Sequence, residues 1–180
     1  MTRAAANRYA QALFELSKEK NMLEQHRSEL TAVKEVFTEN KELLELLEHP
    51  KVTKEKKETL LNDGFAAVSD SVQRLLMLML EKKRIDSVVY MIDKFEELVD
   101  EEWKVGHALV TTVKPLSEEE RDMISKTFAE KAGKDTLYIK NELDPDLIGG
   151  LKVHLGDMIF DGSIKGQLNR MERNLVSGKR

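Results

Sequence analysis

The stretch Leu147-Ile148-Gly149-Gly150-Leu151-Lys152-Val153-His154-Leu155-Gly156-Asp157-Met158-Ile159-Phe160-Asp161-Gly162-Ser163-Ile164 sets four glycines among two short alternating apolar runs and then passes into helical spacing. Side chains alternate between faces along a strand, so Leu151, Val153 and Leu155 share one side. Gly156-Asp157 is turn chemistry, and Met158 and Phe160 carry the chain back, which predicts a β-hairpin. Asp161-Gly162-Ser163 ends the second strand and caps a helix bearing Ile164, Leu168, Met171 and Leu175. Glycines at 149 and 150 let the backbone bend or approach a neighbour at the strand start, with the helix packed across that small-residue surface.

Working back from the hairpin, His107-Ala108-Leu109-Val110-Thr111-Thr112-Val113 is β-branched and bounded by Gly106 and Pro115, so a further strand begins there. Ser117-Glu118-Glu119-Glu120 has the form of a capping box opening a helix through Met123, Ile124 and Phe128, with Gly133 as its stop. Tyr138, Ile139 and Leu143 suggest another strand before the Asp144-Pro145 turn. Residues 106–180 therefore read as a small mixed α/β domain, whose limited core would gain from docking onto a partner or onto the first domain.

From residue 4 to about residue 104 the apolar spacing is helical, and Pro50 and Gly64 are the only residues of their kinds. Six helices are expected in residues 1–105. The first presents Ala6, Tyr9, Ala10, Leu13 and Phe14, and the second Leu23, Leu30, Val33 and Phe37. A short third carries Leu43, Leu44, Leu46 and Leu47 and ends at His49-Pro50, because the residue before proline is pushed out of the helical region. Thr53 caps a fourth with Leu60, Leu61 and Phe65 inward. The fifth, Val72 to Leu80, is nearly apolar all round: Val72, Leu75, Leu76 and Met79 suffice for one buried face, so Met77 and Leu78 point elsewhere. A sixth carries Ile92, Phe95 and Val99. The fold class is thus mainly α, a six-helix bundle followed by a small α/β domain.

Across 180 residues, 41% hydrophobic content suffices for a core in both parts. A net charge of -4 leaves no broad basic face, which argues against nucleic acid as a partner. The first part holds about four more acids than bases and the second is about neutral, while the last helix and tail gather Lys165, Arg170, Arg173, Lys179 and Arg180. With no cysteine, disulfides and thiolate metal sites are excluded. The longest apolar run, Leu75 to Leu80, is far below the roughly 20 residues of a membrane-spanning helix, so no insertion into a bilayer is expected. Helical sequence starts almost at Met1 without a signal or transit layout, which points to a bacterial cytoplasmic setting.

Reactive chemistry is poorly signalled. Asp144, Asp146, Asp157 and Asp161 each flank a proline or glycine, where Asp favours turns. Read as a calcium loop from Asp144, the fifth and twelfth positions would be Ile148 and Leu155, which cannot be ligands. His26, His49, His107 and His154 lie too far apart for one helix face. Gly149-Gly150 belongs to no phosphate-binding pattern, so no cofactor is expected.

The Leu-Ile-Gly-Gly strand entry, Gly156-Asp157 turn, Asp161-Gly162-Ser163 corner and basic final helix resemble the carboxy-terminal signature of the delta subunit (oligomycin-sensitivity-conferring protein) family of F-type ATP synthases. Asn7-Arg8-Tyr9-Ala10-Gln11-Ala12-Leu13-Phe14-Glu15-Leu16 is similar to that family's first helix, and Arg84-Ile85-Asp86 to its junction between the fifth and sixth helices. The resemblance therefore covers essentially the whole chain.

What it implies is mechanical: a non-catalytic stator subunit, one copy per complex, peripheral at the cytoplasmic face of the cell membrane. Residues 1–105 would receive the amino-terminal helix of an alpha subunit, with Tyr9, Ala12 and Leu13 as one wall of a groove and Arg74, Leu75 and Leu78 as the other. Residues 106–180 would grip the carboxy-terminal ends of the b subunits through Lys165, Leu168, Arg170, Met171, Arg173 and Leu175. The residues themselves leave open a core role for Leu168, Met171 and Leu175. Two rivals stand beside this reading: a free helical adaptor, and a small acid/base enzyme using Asp157, Asp161 or His154.

Overall fold

The computed structural model describes residues 3–177, apart from the side chains of residues 174, 176 and 177. Lys179 and Arg180, expected to extend the basic tail, lie outside the described residues. The chain divides into two compact units, Met1–Val99 and Asp100–Arg180. Mainly helical sequence is followed by a small mixed sheet with its own helices.

The first unit contains α1 (Arg3–Glu19), α2 (Leu23–Glu39), α3 (Lys41–Glu48), α4 (Lys54–Gly64), α5 (Asp70–Glu81), a 3-10 turn (Ile85–Ser87) and most of α6 (Val88–Glu102). Apolar residues recurring at three and four positions turn one stripe of each helix inward. Ala6, Ala10, Leu13 and Phe14 of α1 meet Leu30, Val33 and Phe37 of α2, Val72, Leu76 and Met79 of α5, and Met91, Ile92, Phe95 and Val99 of α6 in one core. Phe37 and Phe65 stack with centroids 5.5 Å apart. The helix ends follow local chemistry. Thr53 accepts from the Lys56 N–H at the start of α4, and His49 before Pro50 is extended, which ends α3. Arg84 N–H donates to the Met79 carbonyl at 2.8 Å to close α5, with Lys83 taking the left-handed position.

One inward assignment differs. Leu60 is 37% exposed, because Leu61 and Phe65 already fill the core on that side of α4. Of the leucines carried by α3, Leu46 faces outward and Leu47 is buried.

Polar groups inside this unit are paired across helices. Ser17 and His26, both fully buried, join α1 to α2. The Glu29 carboxylate accepts from the Ser69 N–H at 3.0 Å and Oγ–H at 2.6 Å, which ties α2 to the start of α5. Lys34 reaches Asp93 at 2.7 Å and Glu96 at 2.9 Å on α6. Burial alone would lower the Lys34 pKa, but hydrogen bonds and charges of those two carboxylates outweigh it and hold it above its ordinary value.

The second unit begins inside α6, ahead of the Gly106 boundary expected from composition. Asp100 of the last turns of α6 lies 2.6 Å from His107 Nε2, and the Lys104 carbonyl accepts from the Asp135 N–H, so this segment shares its contacts with the strands. The unit contains β1 (Val105–Thr112), α7 (Glu118–Lys131), β2 (Thr136–Leu143), β3 (Leu151–Leu155), β4 (Met158–Asp161) and α8 (Ile164–Ser177). The sheet order is β2-β1-β3-β4, with β1 parallel to β2 and the other pairs antiparallel. Both arms of the capping box at Ser117 and Glu120 are formed. Register places Leu155 opposite Met158 and Val153 opposite Phe160, as the alternation predicts. One face of the sheet carries Ala108, Val110, Leu137, Ile139, Val153 and Leu155 into a core with Ile124 and Ala129 of α7.

The glycine pair receives the start of α8. Gly150 has φ +81°, and a Cβ there would collide with the Gly162 carbonyl oxygen. The Gly149 carbonyl accepts from the Ile164 N–H at 3.0 Å, and Gly162 N–H donates to the Leu151 carbonyl at 3.0 Å. Asp161 then accepts from the Ser163 Oγ–H and N–H, which holds its carboxyl below the usual range, and Ser163 Oγ accepts from the Gly166 N–H.

Candidate functional site: two contact surfaces

Within the first unit α1 and α5 pack against one another, and the residues expected as groove walls divide by depth. Ala12 is exposed and Tyr9 half-buried, whereas Leu13 is 3% exposed and belongs to the core beneath them. On α5, Arg74 is exposed, Leu75 half-buried and Leu78 39% exposed, while Met77 is half-buried. Since Val72, Leu76, Met79 and Leu80 complete the inward face, Leu78 is surplus to the core. Leu78, Met77 and Arg74 also border a cleft of about 370 Å³ with Glu58 and Asn62 of α4. The Arg74 guanidinium lies 3.5 Å from Asp70, one helical turn earlier, an exposed pair that contributes little to stability.

Tyr9 is held by a residue that sequence reasoning did not single out as part of a site. Arg84 Nη1 donates to Tyr9 Oη at 3.1 Å, and its guanidinium carbon lies 5.8 Å from the ring centroid. The Arg84 backbone is itself anchored: its carbonyl accepts from the Ser87 N–H at 3.1 Å and Oγ–H at 2.8 Å. A cation four residues beyond the apolar run, ahead of Ile85-Asp86, was the available signal, legible as a junction but not as a contact to α1.

The second surface is α8. Ile164, Leu168, Met171 and Leu175 form one stripe and all are exposed, Leu175 by 75%. None belongs to the core of the second unit, so the alternative in which Leu168, Met171 and Leu175 close that core does not describe their positions. Lys165, Arg170 and Arg173 are exposed beside the stripe, and Arg170 donates to the Asp161 carbonyl at 3.1 Å. The basic helix thus presents an apolar stripe flanked by cations.

Of the groups considered for acid/base work, Asp161 is engaged in a local turn, Asp157 is exposed in the turn between β3 and β4, and His154 lies on β3. Asp161 accepts from the Ser163 N–H, and Asp144, considered only for a metal cluster, accepts from the Asp146 N–H at 2.9 Å in a local turn. His154 stands on the face of the sheet opposite the core, in register with Leu109 and Ile159. Among the described residues no cluster of three or more His, Asp or Glu side chains is placed to hold a metal ion, and no helix is long and apolar enough to cross a membrane.

These features suit an assembly subunit: a chain that leaves apolar side chains exposed on α5 and α8. The family described as ATP synthase delta (OSCP) subunit matches residues 5–175. An ATP synthase subunit delta of Halalkalibacterium halodurans is 47% identical over 178 residues, covering 98% of this chain and 97% of that protein. The subunit delta of Geobacillus sp. (strain WCH70) is 46% identical over 95% of this chain and 96% of its own length. A chain of the Toxoplasma gondii mitochondrial ATP synthase hexamer has the same fold, with a TM-score of 0.65 at 22% identity over 95% of this chain and 97% of that one. The chain belongs to the ATP synthase delta (OSCP) subunit family, and it is a stator subunit of the complex, without a catalytic role of its own.

Proposed function

We propose that residues 1–105 act as a six-helix bundle that docks on the catalytic alpha/beta hexamer, and that residues 106–180 hold the peripheral stalk. In the first contact the amino-terminal helix of an alpha subunit lies along α1 and α5, against Tyr9, Ala12, Arg74, Leu75 and Leu78, with Leu13 supporting the wall from below. Small residues such as Ala12 let a guest helix approach closely, and Leu78 fills its gaps. In the second contact the carboxy-terminal ends of the b subunits lie on α8, with Leu168, Met171 and Leu175 in apolar contact and Lys165, Arg170 and Arg173 opposite acids. One copy crowns each complex at the cytoplasmic face of the bacterial membrane.

The observation that carries this reading is the outward turn of Leu78 on a helix whose inward face is already complete. The α8 stripe supports it independently. A brace of this kind holds the hexamer against the torque of the rotor, so slow release from both partners is what the surfaces must provide. The test is reconstitution: the full chain should bridge alpha-containing catalytic sector to a b-subunit fragment. Substitutions on α5 should release only the former and substitutions on α8 only the latter. Loss of both from either set would count against two separate docking surfaces.

A further inference from the structure

Arg84 offers five N–H donors and no acceptor, so in its bond to Tyr9 the phenol oxygen must accept. The single Tyr9 O–H is then left to donate elsewhere, and among the described residues no acceptor is bonded to it. Tyr9 is half-buried, with its oxygen at 3.1 Å from Arg84 and its ring 5.8 Å from the guanidinium carbon. Two contacts on one side chain restrict both ring rotation and the direction of the remaining donor. Arg84 is in turn fixed through its backbone to Met79 and Ser87.

We infer that Arg84 is a positioning residue that aims the Tyr9 hydroxyl at the docked helix, so that this surface selects a partner presenting a hydrogen-bond acceptor, a carboxylate above all, opposite Tyr9. This rests on the groove reading proposed above and names the chemistry the groove recognises. A carboxylate gains most because a fixed guanidinium stands behind the phenol and strengthens its donation. Ala12 and Leu78 admit any apolar helix; the Tyr9 and Arg84 pair supplies the discrimination.

The experiment measures binding of the amino-terminal helix peptide of the alpha subunit from the same ATP synthase to the full chain by calorimetry. Tyr9→Phe removes the O–H, Arg84→Met removes its positioning, and the double variant measures their coupling. Each single change should weaken binding about tenfold, and the double should be no weaker than either single. Arg84→Lys, which keeps a donor without the planar fork, should recover part of the loss. A peptide with its acids changed to Asn and Gln should lose affinity for the unsubstituted chain and much less for Tyr9→Phe. Multiplying effects of the two singles, or an Arg84→Met variant with full affinity, would overturn the inference. A second readout needs no partner. Carbon-13 relaxation of the Tyr9 ring should show a loss of order in Arg84→Met, and unchanged order would also overturn it. Failure of the peptide to bind the unsubstituted chain would defeat the groove reading, leaving the ring measurement to decide the positioning role.

Discussion

Ser17 Oγ and His26 Nδ1 meet at 2.6 Å inside the helical unit, and the direction of that bond fixes the state of the imidazole. The Ser17 hydroxyl donates to the Leu13 carbonyl at 2.5 Å, so its oxygen accepts from an Nδ1–H. His26 Nε2 is then the bare nitrogen, buried without a partner among the described residues. Protonation would place a charged N–H in that position. Burial accordingly lowers the His26 pKa; Glu29 nearby acts against the shift and Lys20 with it.

Stability should fall as the medium becomes mildly acidic. A histidine whose pKa is lowered by folding binds more protons unfolded than folded, so stability is complete above the unfolded value of about 6.5 and declines as pH drops below it. The slope from this one group cannot exceed about 1.4 kcal/mol per pH unit. Urea unfolding of the full chain between neutral and mildly acidic pH, followed by far-ultraviolet circular dichroism, should show that decline. His26→Asn, which keeps a donor near the Nδ1 position without titrating, should flatten it.

Glu29 should act in a lower pH window. Burial alone would raise its pKa, but the bonds from Ser69 Oγ, Gln25 and the Ser69 N–H outweigh burial and hold it below the ordinary carboxylate value. Its contribution is therefore present above that ordinary value and is lost as the carboxylate protonates at more acidic pH. Glu29→Ala leaves the start of α5 without its acceptor and should cost about 1–3 kcal/mol in denaturant unfolding. Glu29→Gln, which retains one acceptor oxygen, should lose less.

Gly150 and Gly156 both hold φ above zero, but only Gly150 faces another backbone, at the Gly162 carbonyl. Gly156→Ala meets open space and should cost about 1 kcal/mol from backbone strain alone. Gly150→Ala adds a steric clash that a carbonyl cannot relieve by rotating a side chain, and it should cost more than twice as much. Parallel melting curves of the two variants decide this.

Met171→Asp on α8 should leave the melting temperature within a degree or two, because the side chain is exposed and outside the core. The same change should weaken capture of a b-subunit carboxy-terminal fragment in a pull-down from purified components. A variant that melts early and still captures the fragment would return the stripe to a structural role.

The hairpin and its helix were legible because turn chemistry and period-two alternation coincide over residues 147–164. Helix ends at Thr53, Ser117 and His49-Pro50 were legible for the same local reason. What escaped the sequence was longer in range. Ser17 and His26 are separated by a turn between helices, Glu29 and Ser69 by two helices, and neither pair follows any spacing rule. Leu60 was read inward from its neighbours, since periodicity gives a stripe but not its edge. The depth of Leu13 beneath Ala12 and the hold of Arg84 on Tyr9 likewise depend on how α5 lies against α1. Leu78 was the exception: an excess of apolar residues on one helix predicts that some face outward, although Met77, read outward with it, packs against the core.

Calorimetric titration of the alpha amino-terminal peptide into full-length Leu78→Asp bears most directly on the brace. Because Leu78 is half-exposed, the variant should keep its helical content and its melting transition while binding weakens by about 2 kcal/mol or more. Unchanged affinity in a folded variant would contradict the assignment of α5 as the docking face.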